Sequence, residues 1–245
     1  MRNLRDILKE SILDDIDTQI EKGDKDIKNE IYSFLKENYF GTFKISDKPN
    51  KDGLYEVSSL MNVMVKNKNI TSLTNGTFVW TIVEGLFGCS NCTFLKSLEG
   101  APKKVVDTFN CAICTNLTSL EGAPKEVGGD FSCGSCYSLK SLKGAPKEVG
   151  GDFNCSNCLS LTSLEGAPKE VGGTFSCATN KSLKSLKYAP EKVKGSFDCS
   201  YCNSLDSLKY APKEVYKDFW CWGCKVDFTK DDVKKVSNVK REINC

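Results

Sequence analysis

Paired cysteines are the one recurrent reactive feature of this chain. The spacing C-x2-C occurs at Cys89/Cys92, Cys111/Cys114, Cys133/Cys136, Cys155/Cys158, Cys199/Cys202 and Cys221/Cys224, while Cys177 is followed three residues on by Asn180. Two thiolates at that spacing can grip one zinc ion, and a second pair completes a tetrahedral site. On that reading Cys89, Cys92, Cys111, Cys114, Cys133 and Cys136 are candidate ligands. Other features oppose it. Four-thiolate sites consume pairs two at a time, the seven frames do not divide evenly, and Asn180 breaks one. Every pair also has the same surroundings, so the alternative is a pair of small buried core residues. A redox role is a third use. Neighbouring turns of a stacked chain bring thiols within the Cα separation of a disulfide, although parallel side-chain vectors strain such a bond.

Histidine is absent, which removes the commonest general base, the commonest metal ligand and the usual pH switch. Nothing resembles a phosphate-binding loop, a nucleophile elbow or a paired acid–base site. The expected activity is therefore non-enzymatic and needs no cofactor.

What positions the cysteines is a 22-residue unit. Phe87, Phe109, Phe131, Phe153, Phe175, Phe197 and Phe219 lead it, each followed two residues later by a cysteine. The fourth unit runs Phe153-Asn-Cys-Ser-Asn-Cys-Leu-Ser-Leu-Thr-Ser-Leu-Glu-Gly-Ala-Pro-Lys-Glu-Val-Gly-Gly-Thr174. A constant period in this range marks a stacked-repeat architecture. Phe-x-Cys alternates as a strand does when one face is buried. Leu-x-Ser-Leu bends the chain, Gly-Ala-Pro excludes regular helix, and Val returns to the core before the next corner. A single coil cannot bury its own apolar side. The spacing therefore predicts a repeat solenoid with one short parallel strand per coil, about 4.8 Å apart, and continuous columns of Phe, Leu and Val. Each Phe or Leu so buried contributes about 1.5–3 kcal/mol before entropy is counted.

Residues 1–41 read as two amphipathic helices. Leu4, Ile7, Leu8, Ile12, Ile16 and Ile20 follow the helical period, and Gly23 is placed to end the first helix. Asp24 can cap a second, carrying Ile27, Ile31, Phe34 and Leu35 and stopping at Gly41. Residues 42–62 read as a hairpin and N-terminal cap. The repeats span 63–224 and begin in degraded form at Val63, Val65, Ile70 and Leu73. Residues 225–245 read as a C-terminal cap with a short helix from Thr229 to Val236, Thr229 as N-cap and two aspartates in its first turn.

The formal net charge of +2 argues neither for nucleic acid nor for an acidic partner. No segment is long and apolar enough to span a bilayer. The first forty residues mix both charge signs without the apolar run of a secretion signal. The 14 cysteines are about 6% of the 245 residues, below the roughly 8–10% of secreted disulfide scaffolds. A cytoplasmic protein with reduced thiols is expected.

Phe-x-Cys-x-x-Cys/Asn followed by Leu-x-x-Leu resembles the leucine-rich repeat, L-x-x-L-x-L-x-x-N/C-x-L. One departure is that two residues, not one, separate the second cysteine from the next Leu. The resemblance implies a leucine-rich-repeat-like solenoid. In it, the second cysteine fills the position whose side chain satisfies backbone groups of the neighbouring coil, and Asn180 fits that place. The run Leu-Thr-Ser-Leu-Glu-Gly-Ala-Pro also resembles the short repeats of bacterial effector proteins, and its extension Lys-Glu-Val-Gly-Gly is similar to small repeat proteins of tailed bacteriophages and bacteria. These resemblances imply a binding shape and not a reaction. The expected role is sequestration or inhibition of a host protein, an antiviral defence component among the candidates. A structural or oligomerisation module is a further alternative.

In such repeats the concave sheet is the usual binding face. Its outward positions here are small and polar over most of their length, as at Gly88, Asn110, Ser132, Asn154 and Ser176. The C-terminal end is aromatic. Tyr201, Trp220 and Trp222 are the candidate anchors, with Asp198 and Asp218 adding polarity. The alternative is that the tryptophans seal the core against the C-terminal helix. Lys103, Lys125, Lys147, Lys169 and Lys213 form a column beside Glu126, Glu148, Glu170 and Glu214, a solvated mixed-charge face more than a phosphate track.

Overall fold

The computed structural model describes residues 21–245 in full and residues 4–20 only as part of the first helix. The repeats wind into a β-solenoid of about nine turns. Each coil contributes a two-residue strand that begins at its Phe, and these strands pair in parallel from Phe87 to Phe219 without a register shift. All seven Phe side chains are completely buried in one column. Their rings stack with centroids 5.1–5.9 Å apart, the last pair, Phe197 and Phe219, tilted by 49°. That separation follows from the coil spacing, which holds the rings near the distance favoured by offset stacking.

A second parallel ladder runs along another side of the coil, which the sequence reading did not anticipate. Its strands end at Val105, Val127, Val149, Val171, Val193 and Val215. Each sheet contains ten strands. The valines turn inward and the preceding Lys or Glu outward. Gly150 and Gly172 follow two of these valines because the coils approach closely there: a Cβ at either would collide with the carbonyl oxygen of Gly128 or Gly150 one coil back.

The N-terminal region departs from expectation. One helix, α1 (Leu4–Asn38), replaces two. Gly23 lies within it, and a Cβ there would meet only open space. A mid-helix glycine costs about 1 kcal/mol, too little to end a helix that strong formers continue on both sides. The apolar series Leu4 to Ile20 falls outside the fully described residues. Ile31 and Leu35, one turn apart, are fully buried. The helix stops before Gly41, because β1 (Tyr39–Phe40) pairs antiparallel with β4 (Val63–Val65).

Between them, β2 (Lys44–Ile45) and β3 (Tyr55–Ser59) form an antiparallel hairpin, and β3 pairs in parallel with β5 (Phe78–Val83). Val63 stands in register with Phe87, so the degraded first coil uses Val where later coils use Phe. Tyr39, Phe43, Trp80 and Phe87 pack edge-on or tilted around this end of the core.

At the other end, α2 (Lys230–Lys234) has Thr229 as its N-cap in a reciprocal capping box with Asp232. The segment beyond it continues both ladders. Val239 pairs with Val215, and Ile243 with Phe219. Ile243-Asn-Cys245 is thus a further copy of Phe-x-Cys, and residues 238–245 extend the solenoid instead of only capping it.

Candidate functional site

The cysteines occupy two columns inside the solenoid. Sulfurs of the second column point at the carbonyl oxygen of the first-column cysteine one coil back: Cys114 to Cys89 at 3.2 Å, Cys136 to Cys111 at 3.3 Å, Cys158 to Cys133 at 3.2 Å, Cys202 to Cys177 at 3.2 Å and Cys224 to Cys199 at 3.3 Å. Asn180 does the same to Cys155 at 3.0 Å, and adds bonds to the Cys177 carbonyl at 2.8 Å and from the Cys158 N–H at 2.7 Å. The interchange of Cys and Asn therefore has a direct cause. Both supply a donor to a buried carbonyl that would otherwise be unpaired.

The same packing keeps the first-column thiols protonated. Cys89, Cys111, Cys133, Cys177 and Cys199 are pushed well above the ordinary thiol range, first by contact with the thiol of the next coil and then by burial. Cys155 faces Asn180 instead of a thiol, and burial is its main cause. Contact with the first column lowers Cys114, Cys158 and Cys224. A thiol held protonated is neither a nucleophile nor a metal ligand. Cys89, Cys92, Cys111, Cys114, Cys133 and Cys136 are all buried. Among the described residues, no three Cys, Asp or Glu side chains are grouped as a metal site requires.

The aromatic end of the Phe ladder has a different character. Tyr201 is 53% exposed and Trp222 40%, with Trp220 half-buried. Trp220 ends the strand Phe219–Trp220, and Trp222 stands in the turn that follows it. Trp220 stands in register between Asp198 and Asn244 on the neighbouring strands. Tyr201 is held by the coil above it. Its N–H bonds the Trp222 carbonyl at 2.8 Å, and its ring lies over Gly223, where a Cβ would come within 2.6 Å of the ring. Gly223 also has φ +65°, so glycine suits both the backbone and the ring above it. Trp222 is not enclosed by the C-terminal cap.

The two aspartates serve the scaffold. Asp198 accepts the Ser200 N–H at 2.9 Å and the Ser176 hydroxyl at 3.4 Å. Asp218 accepts the Glu242 N–H at 3.2 Å. Asp130 and Asp152 make the same coil-to-coil bond as Asp218, to the N–H groups of Asp152 and Thr174.

A groove of about 990 Å³ lies elsewhere, over the valine ladder, where Gly128, Gly150 and Gly172 leave the surface open between Lys104, Lys147, Lys194 and Glu126, Glu148. Lysines and glutamates of neighbouring coils pair with each other, as in Lys104–Glu126 at 2.9 Å at the groove and Lys213–Glu191 at 3.3 Å nearer the C-terminal end. These bridges are solvent-exposed, and pairs of that kind contribute about 0–1 kcal/mol each. Among the described residues, no helix is long and apolar enough to cross a membrane. Comparison with protein-family models, with curated proteins and with solved structures finds no match.

Proposed function

We propose that this chain is a non-catalytic protein-binding solenoid that anchors a protein partner on Tyr201, Trp220 and Trp222. One observation carries the reading: Tyr201 and Trp222 are exposed and Trp220 is half-buried at the end of a ladder whose outward strand positions from Gly88 to Ser176 are small and polar. Exposed Trp and Tyr bury much area for few rotatable bonds, and so dominate binding energies where they occur at an interface. The solenoid is the rigid support, since every outward residue is fixed by the coil beneath it. Asp198 and Asp218 act as struts of this support. The resemblance to phage-encoded repeats makes a host protein the partner, held by occupancy and not by reaction.

The test is capture from a bacterial lysate on immobilised full-length protein, run beside a Tyr201→Ala/Trp222→Ala variant. The reading expects a protein retained by the first and lost by the second at equal folded content. Equal retention by both would reject it.

A further inference from the structure

We infer that Cys221 and Cys245 form a dithiol that a small disulfide oxidant closes selectively, while the rest of the cysteine ladder stays reduced. The two sulfurs lie 3.0 Å apart. Pairing of Trp220 with Asn244 places the two cysteines side by side, each just past the end of its parallel strand. Such neighbours are about 4.8 Å apart, within the roughly 4.4–6.8 Å between Cα atoms that a disulfide spans.

Two further features single this pair out. Of the 14 cysteines, Cys245 alone is exposed, so it is the sulfur a soluble oxidant reaches. One coil back, Cys199 directs its thiol to the Trp220 carbonyl oxygen at 3.5 Å and its neighbour Cys224 is tied to the Cys199 carbonyl oxygen at 3.3 Å, whereas the sulfurs of Cys221 and Cys245 face each other. Other inter-coil thiols are sealed in the core or tied to carbonyl oxygens, as Cys202 is to Cys177.

The step balances without a metal. Cys245 loses its proton to solvent, and its thiolate attacks one sulfur of a disulfide R–S–S–R. The S–S bond breaks, and the leaving thiolate takes up a proton as R–SH. The buried Cys221 then passes its proton to the departing thiolate as its sulfur attacks the Cys245 sulfur of the mixed disulfide, so that the second R group leaves as R–SH. Two protein thiols are oxidised by two electrons, and one disulfide is reduced to two thiols. The new bond would tie the strand carrying Trp220 to the strand Ile243–Asn244. The inference stands on sulfur geometry and is independent of what the tryptophans bind.

The folded full-length protein is incubated with oxidised glutathione near neutral pH, free thiols are alkylated, and peptides are mapped without reduction. The expected product has two fewer free thiols and a linked peptide containing Cys221 and Cys245. Cys221→Ser should stop at a Cys245–glutathione mixed disulfide, and Cys245→Ser should leave the remaining thiols free. Circular dichroism and the native thiol count identify any variant that fails to fold, and the wild-type map decides the question without the variants. A first bond elsewhere, such as Cys199–Cys224, would overturn the inference. So would a lasting mixed disulfide at Cys245 in the wild type, or no oxidation at all.

Discussion

Asn180 offers the sharpest test of how the coils hold together. Its side chain is fully buried and makes three bonds, to the Cys155 and Cys177 carbonyls and from the Cys158 N–H. Replacing it with cysteine restores the residue used in the other coils. The structure nevertheless predicts a loss. A thiol keeps the bond to the preceding coil and forfeits the other two. Each typical bond contributes about 0.5–1.5 kcal/mol net, and a buried group left unpaired costs about 1–3 kcal/mol. Asn180→Cys should therefore lower stability by about 2 kcal/mol. Asn180→Leu keeps the bulk and orphans the Cys155 carbonyl and the Cys158 N–H, while the Cys177 carbonyl still accepts the Cys202 thiol, so it should cost about 4 kcal/mol. Urea titrations followed by circular dichroism measure both. The order Asn, Cys, Leu is the essential result. A cysteine variant as stable as the wild type would show that the column is held by packing alone.

Other outcomes follow from the same geometry. Phe153 sits between rings at 5.1 and 5.2 Å with no exposed surface, so Phe153→Ala should cost about 3–5 kcal/mol in a urea titration, and a loss under 1 kcal/mol would refute tight packing. Ile113 is 46% exposed and holds φ 62°, a left-handed conformation that L-residues adopt at a cost of roughly 1–2 kcal/mol and β-branched ones least readily. Ile113→Asn should raise the melting temperature, and a fall would show that its side chain makes contacts that outweigh the strain. Alkali should destabilise the fold. Thiols of the unfolded chain ionise near pH ~8.5, while the raised first-column thiols keep their protons in the fold. Above that pH the unfolded state binds fewer protons, so the stability fully present below about pH 8.5 is lost as pH rises, by about 1.4 kcal/mol per unit for each fully shifted thiol. Cys155 contributes without a lowered thiol opposite it. Denaturation midpoints that stay constant up to about pH 11 would contradict this.

The Phe column was legible because Phe-x-Cys recurs at a fixed period and alternation fixes which side chain faces inward. The Cys/Asn ladder was legible through Asn180, whose amide and a thiol share one capability, donation to a carbonyl. The inward valine column was legible from the same period, but its pairing as a second sheet was not, since those two-residue strands lie between Pro and Gly and carry no alternation to read. Gly23 misled because a weak helix penalty looks like a stop signal when neighbours are ignored. Ile243-Asn-Cys245 was overlooked because it follows its predecessor by 24 residues and replaces Phe with Ile. The Ile-x-Cys spacing was the available signal. The roles of Asp198 and Asp218 depend on which N–H groups the neighbouring coils and turns bring to each carboxylate, and no single repeat contains that information.

The central claim, that the aromatic end anchors a protein partner, is tested most directly by one paired measurement on Trp222→Ala. Affinity for the captured partner and the melting temperature are recorded on the same samples. Trp222 is 40% exposed, so its loss should lower the melting temperature only modestly, with the fold intact. A true anchor removed should weaken binding by about 2 kcal/mol or more, roughly thirtyfold. A variant that melts early, yet binds normally through its folded fraction, would show that Trp222 only closes the end of the core, and would contradict the account.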